Sequence, residues 1–284
     1  MARGVLAALV ASGLESPILV SVSEETLRRN VTILAPMFSG AQEIVSALRK
    51  QRLREVSNEF VEPDASIGGE SGSVLAMLDA WLASGDQTAL VLGEFGVGKS
   101  TVLAQWAYDR WERGKEPLPI LVNLAGVGPT AAPEALLLQA AGLDDVPKHR
   151  AALRLLIRYG HIVPCFDGFD EMATRLEGSE LAGRLAALLE VAAGGGKVLI
   201  SSRTNYFPSK EHLRTAADTA LVQALGESAG VRRIEIQPFS DEQVAALVRK
   251  IRTEEGAADK SLNRIAHIYD LRDLVHRPLL LGMV

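Results

Sequence analysis

Gly93, Gly98, Lys99 and Ser100 stand at the offsets G-x-x-x-x-G-K-S within "VLGEFGVGKST", Val91–Thr101, a spacing suited to holding a chain of phosphates. Glycines lack a Cβ and reach positive φ, so successive amide N–H groups can turn inward and ring an anion. Gly96 adds a further glycine, and Glu94, Phe95 and Val97 fill the remaining loop positions. Lys99 offers a full positive charge to the outer phosphates, Ser100 offers a hydroxyl to Mg²⁺, and Thr101 is placed for the next phosphate. The apolar run before the loop reads as a strand. The pattern from Lys99 onward reads as a helix whose N-terminus adds its dipole to the same anion site.

A second stretch, "HIVPCFDGFDEM", carries acids. Ile162–Phe166 reads as a buried strand, which puts Asp167 at a carboxyl end, the side of an open α/β sheet where ligands bind. Asp167 is then placed to hold Mg²⁺ opposite Ser100. After the turn at Gly168 and Phe169 come Asp170 and Glu171. One of the two can orient or activate a water; Glu171 is the preferred general base and Asp170 its supporting partner. In the third stretch, "KVLISSRTNYF", a strand ends at Ser201–Ser202 and Arg203 projects from the same sheet edge. A guanidinium there can sense a terminal phosphate or stabilise charge during its transfer. Cys165 reads as packing, and the five histidines show no ligand spacing.

These residues need a scaffold that gathers them at one edge. Short apolar runs at Ala89–Leu92, Pro119–Leu124, Ile162–Phe166, Val198–Ile200 and Ile234–Ile236 alternate with helical patterns such as Lys99–Trp111, Glu134–Ala141 and Leu181–Val191. Continuously apolar strands separated by helices indicate a parallel sheet covered on both faces, a doubly wound α/β core. "FSDEQVAALVRKI" reads as a helix capped by Ser240, with Gln243 completing a capping box. Four regions are expected: 1–61, helical or mixed; 62–73, a Gly-, Ser- and acid-rich linker or exposed loop; 74–239, the α/β core; and 240–284, a small helical lid. In the first region Ile44, Val45, Leu48 and Val56 suggest an amphipathic helix, with a strand at Ile18–Val22 and a helix or buried segment at Gly4–Leu14. The apolar ending "PLLLGMV" reads as a chain cut inside a larger protein.

The chain has 284 residues, 48% of them hydrophobic, and a net charge of −5. That is enough for a substantial core, and it gives no overall basic surface for nonspecific nucleic-acid binding. The apolar Gly4–Leu14 stretch is too short to span a bilayer. A single cysteine cannot make an internal disulfide, which fits a reducing cytoplasm.

Taken together, "GEFGVGKST", "CFDGFDEM", "LISSR", "IEIQPFS" and the "RPLLL" ending resemble a NACHT domain of the STAND class of P-loop NTPases. The resemblance covers about Glu59–Val284 and is silent on what precedes it. It implies an ASCE-type core of five parallel strands, with the phosphate-loop strand between the fourth and fifth, followed by a helical lid. It implies ATP or ADP with Mg²⁺ as ligands, Asp167 as the Mg²⁺ aspartate, Arg203 as the first sensor and Pro278 as a lid proline touching the nucleotide base. It further implies a switch: ADP holding core and lid closed, ATP permitting self-association of the full-length protein and recruitment of a fused or separate effector, with slow hydrolysis as the reset. The alternatives are a constitutive ATPase doing remodelling work and a nonhydrolysing nucleotide-binding scaffold.

Overall fold

The structure, a computed structural model, describes residues 24–50, 59–128, 130–174, 178–204, 230–252 and 276–281. Five apolar runs form strands β3 (Thr88–Leu92), β4 (Leu118–Asn123), β5 (Ile162–Asp167), β6 (Val198–Ser202) and β7 (Val231–Ile236). They pair in parallel. Two further strands, β1 (Asp64–Ile67) and β2 (Glu70–Ser73), precede them. The seven make one sheet in the order β2-β1-β7-β3-β6-β5-β4. The phosphate-loop strand β3 thus lies between the fourth and fifth parallel strands. β6 separates β3 from the acidic strand β5, which is the ASCE arrangement.

Successive side chains of a strand face opposite sides, and both sides are covered. Leu90, Leu92, Ile120, Val122, Phe166 and Ile200 face a core shared with α4 (Pro133–Ala140), α5 (Pro147–Arg158) and α7 (Gly178–Glu190). Ala89, Val91, Val163, Cys165, Leu199 and Ile234 face α2 (Val74–Ala83) and α3 (Lys99–Glu112), whose Trp81 and Trp106 are buried there. Full burial on two faces explains why these strands are apolar throughout rather than alternating.

The expected linker at 62–73 is instead an antiparallel hairpin. Gly68 and Gly69, at φ 61° and 99°, make its turn, as a two-residue hairpin loop requires. β1 joins β7 in antiparallel register, Ala65 beside Ile236 and Ser66 beside Glu235. The segment reads as a loop because an edge hairpin is held by main-chain bonds, and Ala65 is its one fully buried side chain. Ser73 then caps α2, its Oγ accepting from Ala76 N at 3.0 Å.

In the N-terminal region α1 (Glu24–Lys50) presents Ile44 and Leu48 to the core. The expected features at Gly4–Leu14, Ile18–Val22 and Val56 lie outside the described residues. On the C-terminal side, α8 (Asp241–Ile251) begins with the expected capping box. Its Val244, Leu247 and Val248 form a small cluster with Phe239, against which Val61 and Ile251 pack. A short helix, α9 (Pro278–Leu281), follows at the end of the described chain. Among the described residues no helix is long and apolar enough to cross a membrane.

Candidate functional site

The loop between β3 and α3 turns at Gly96 and Gly98, at φ 80° and 94°. Gly98 is the residue before α3, so a positive φ is needed where the backbone enters the helix. Gly93 is required for space: a β-carbon there would lie 2.8 Å from Val97 Cγ2 and 3.4 Å from the Ile236 carbonyl oxygen. The loop therefore lies tightly on β7, and the N-terminus of a 14-residue helix opens onto it. Ser100 and Thr101 sit exposed on the first turn of that helix.

Lys99 Nζ donates to the carbonyls of Gly93 at 2.7 Å and Glu94 at 3.0 Å. Burial pushes its ammonium below the ordinary lysine range; Asp170 and Asp167 oppose that shift, Arg203 adds to it, and Glu94 opposes it. The same four side chains thus act on Lys99 through space, and three strand ends converge on one loop.

Asp167 ends β5. Its Oδ1 accepts from Ser201 Oγ, and Ser201 Oγ in turn accepts from Gly168 N at 2.9 Å. Oδ2 carries no bond among the described residues. α6 (Phe169–Ala173) begins directly after Gly168 and carries both downstream acids. They are in different surroundings. Asp170 is buried, its Oδ2 accepting from Arg203 Nε at 2.7 Å and its Oδ1 from Arg203 N at 3.1 Å. Glu171 is exposed, with Cδ 3.8 Å from the position a β-carbon on Gly168 would occupy. The Arg203 guanidinium also lies over the ring of Phe95, 4.9 Å from its centroid.

The lid reaches the same loop. Leu279 N donates to the Gly96 carbonyl at 3.3 Å. Arg277 Nη1 donates to the Phe95 carbonyl at 3.4 Å. Pro278 Cγ lies 4.0 Å from where a Gly98 β-carbon would be. The peptide groups of His276 and Phe239 bond at 2.8 Å and the His276 ring bonds the Phe239 carbonyl, fixing this turn to the start of the lid.

The sequence-predicted residues Gly93 to Thr101, Asp167, Asp170, Glu171, Arg203 and Pro278 thus all belong to this one edge of the sheet. Ser201, Arg277 and the Phe95–Arg203 stack were not predicted. A weak signal for Ser201 existed, since it sits two residues before Arg203 on a strand next to the acidic one. Arg277 and the stack depend on how the lid and loop fold together, which no local pattern records.

The donor set fits Mg²⁺ with a nucleotide: a hydroxyl on Ser100, a carboxylate on Asp167 with one oxygen unengaged, and no soft ligand, as a hard cation that keeps waters and binds phosphate oxygens prefers. Cys165 is fully buried two residues before Asp167 on β5, and burial pushes its thiol up, so it is a packing group.

A glycine-lined loop at a helix N-terminus, facing an acidic strand end in an ASCE sheet, defines a P-loop NTPase. The NACHT domain model matches residues 87–255, more than half of the chain, and the chain belongs to the NACHT family. It is 25% identical over 233 residues to an uncharacterized WD repeat-containing protein of Nostoc sp., across 76% of this chain and 15% of that protein. The chain therefore spans a small part of the length of that curated relative. Two solved structures share a distant likeness. Cdc6p from Pyrobaculum aerophilum has a TM-score of 0.42 at 15% identity, covering 68% of this chain and 52% of that one. The ORC2 protein of Aeropyrum pernix has a TM-score of 0.41 at 14% identity, covering 70% and 55%. The fold assignment rests on the strand order and not on these two.

Proposed function

We propose that this chain is the nucleotide-operated switch of a larger signalling protein of the defence type. It binds ATP or ADP with Mg²⁺, hydrolyses ATP slowly and controls self-association, so that a fused or recruited effector is brought together in the cytoplasm. The observation that carries this reading is the seating of the lid on the phosphate loop, through Leu279 N on the Gly96 carbonyl at 3.3 Å. One short loop both rings the phosphate position and holds the lid, so a change in the phosphates and a change in lid position share the same atoms.

The residues divide the work. Lys99 leaves the Gly93 and Glu94 carbonyls to meet the phosphates, and the loop amides and helix α3 hold them in place. Ser100 and Asp167 hold the magnesium, which when bound neutralises charge on the β- and γ-phosphates. Glu171, exposed at the site edge, orients and deprotonates the attacking water. Arg203, held by Asp170 and Phe95, reads the terminal phosphate. Pro278 meets the base from the lid side.

The test uses the complete protein. ATP turnover is measured, together with the distance between spin labels on the lid and the core, in ADP and in a nonhydrolysable ATP analogue. Slow turnover with a lid distance that differs between the two nucleotides supports the switch. Fast turnover independent of any activating ligand, with no lid displacement, overturns it in favour of a constitutive ATPase.

A further inference from the structure

Ser201 is fully buried near the carboxyl end of β6. Its neighbour across the sheet is set by register: β5 and β6 pair at Cys165 with Leu199 and Phe166 with Ile200, and the next step along both strands brings Asp167 beside Ser201. The hydroxyl is used in both directions. It donates to Asp167 Oδ1 and accepts from Gly168 N at 2.9 Å. One side chain thus fixes the carboxylate and the turn that follows it.

Ser202, one residue on, provides the contrast. It is also buried, faces the other side of the strand, and its Oγ has no hydrogen-bond partner among the described residues. Two adjacent buried serines on one strand therefore face opposite sides and differ in their bonding: one hydroxyl is bonded to the acidic strand end and the other has no partner among the described residues.

We propose that Ser201 is a positioning residue for the metal-binding carboxylate, holding Asp167 in the one rotation that leaves Oδ2 for the cation. This deepens the reading in which Asp167 holds Mg²⁺, and it rests on that reading. The physical reason is that the terminal torsion of an aspartate is broad and two-fold. A carboxylate on a strand end is free to turn unless something bonds one oxygen. Ligating carboxylates are held by such outer partners, and removing one weakens metal binding about 10–100-fold. A serine that only stitched β5 to β6 would contribute to stability and leave metal affinity alone.

The experiment titrates Mn²⁺, followed by electron paramagnetic resonance, into the full chain saturated with ADP. ADP affinity is measured separately in EDTA. Ser201→Ala removes the hydroxyl, and Ser201→Cys keeps the volume but replaces it with a weak donor and acceptor. Both are expected to weaken Mn²⁺ binding about 10-fold or more, with ADP affinity in EDTA unchanged. Ser202→Ala is expected to match the wild type in both. Wild-type Mn²⁺ affinity in Ser201→Cys overturns the proposal, as does equal weakening in the Ser201 and Ser202 variants. Asp167→Asn separates the two levels: if it too leaves Mn²⁺ affinity unchanged, the assignment of the metal to Asp167 fails, whereas if only Asp167→Asn weakens binding, that assignment stands and the role of Ser201 falls.

Discussion

Arg203 and Asp170 are joined twice, Nε to Oδ2 at 2.7 Å and backbone N to Oδ1 at 3.1 Å. Both carboxylate oxygens of Asp170 are therefore occupied, and its side chain is buried. A carboxylate so engaged is placed to hold Arg203. Asp170→Asn keeps the shape and loses the charge. It is expected to cost about 1.5–3 kcal/mol of stability, the range for hydrogen bonds to charged groups. In the Asn background, Arg203→Ala should cost less than in the wild type. Chemical denaturation of the four proteins measures this, and additivity within about 0.5 kcal/mol would show that the pair carries no coupling.

In the proposed function the exposed Glu171 acts on the attacking water. Glu171→Gln is expected to bind ATP as the wild type does and to lose hydrolysis by about 10²–10⁴-fold, the range for a positioned base. Single-turnover hydrolysis, with binding measured separately, decides it. Normal hydrolysis by Glu171→Gln would move the base elsewhere.

How far the sequence disclosed this arrangement depended on whether a feature is local. The parallel strands were legible because each is a continuous apolar run, as burial on two faces demands. The phosphate loop was legible because its chemistry needs glycines at fixed offsets. The hairpin at 64–73 was not, because β2 (Glu-Ser-Gly-Ser) contains no apolar residue and owes its place to main-chain pairing. Helices between the strands were legible as a class, and Ala152, Leu153, Leu156 and Ile157 mark the buried face of one of them, α5. Among the acids, the pattern "DGFDE" suggested Asp167 for the metal, Glu171 as the preferred base and Asp170 as its supporting partner, but not the contacts each acid makes. Those contacts come from the meeting of β5 with β6, which puts Arg203 on Asp170 and Ser201 on Asp167.

The loop itself is open to a backbone test. Gly98 holds φ 94° at the start of α3, a conformation that costs an L-residue about 1–2 kcal/mol. Gly98→Ala is expected to lose about that much stability and, because the loop must shift to relieve the strain, to lose most of its nucleotide affinity. Thermal unfolding with and without ADP measures both. An alanine variant stabilised by ADP as strongly as the wild type would show that the loop tolerates the change.

Lys99 makes a prediction about pH. Burial lowers its folded pKa below the ordinary 10.5, so in the interval between the lowered value and 10.5 the unfolded chain holds a proton that the folded chain has released. Stability therefore rises with pH across that interval. Lys99→Met removes the group and should remove this part of the rise, while abolishing ADP binding. The difference between the two unfolding profiles over the alkaline range isolates the lysine from other titrating groups. A difference that does not change with pH would mean that the ammonium is not destabilised by its surroundings.

The attachment of α1 to the core responds to pH in the same direction, but in the acid range and because the charged form is stabilised there. Glu43 receives Lys148 Nζ at 2.7 and 2.8 Å and the ring of His149 at 2.7 Å, and both partners belong to α5. The Lys148 hydrogen bond, then that of His149, holds the Glu43 carboxyl down from 4.5 to about 2. A lowered acid contributes in full above its unfolded pKa and loses that contribution as pH falls through the folded one, so the window runs from about 4.5 down to about 2. Within it, α1 should loosen from α5 as the medium is acidified, while Ile44 and Leu48 still hold their apolar contacts. Hydrogen exchange along residues 37–50 is expected to show protection falling with pH in the wild type. Glu43→Gln, which cannot ionise, should show weaker protection at neutral pH and no further decline in acid beyond that of the rest of the chain. Identical profiles for the two proteins would place the hold on α1 in its apolar face alone.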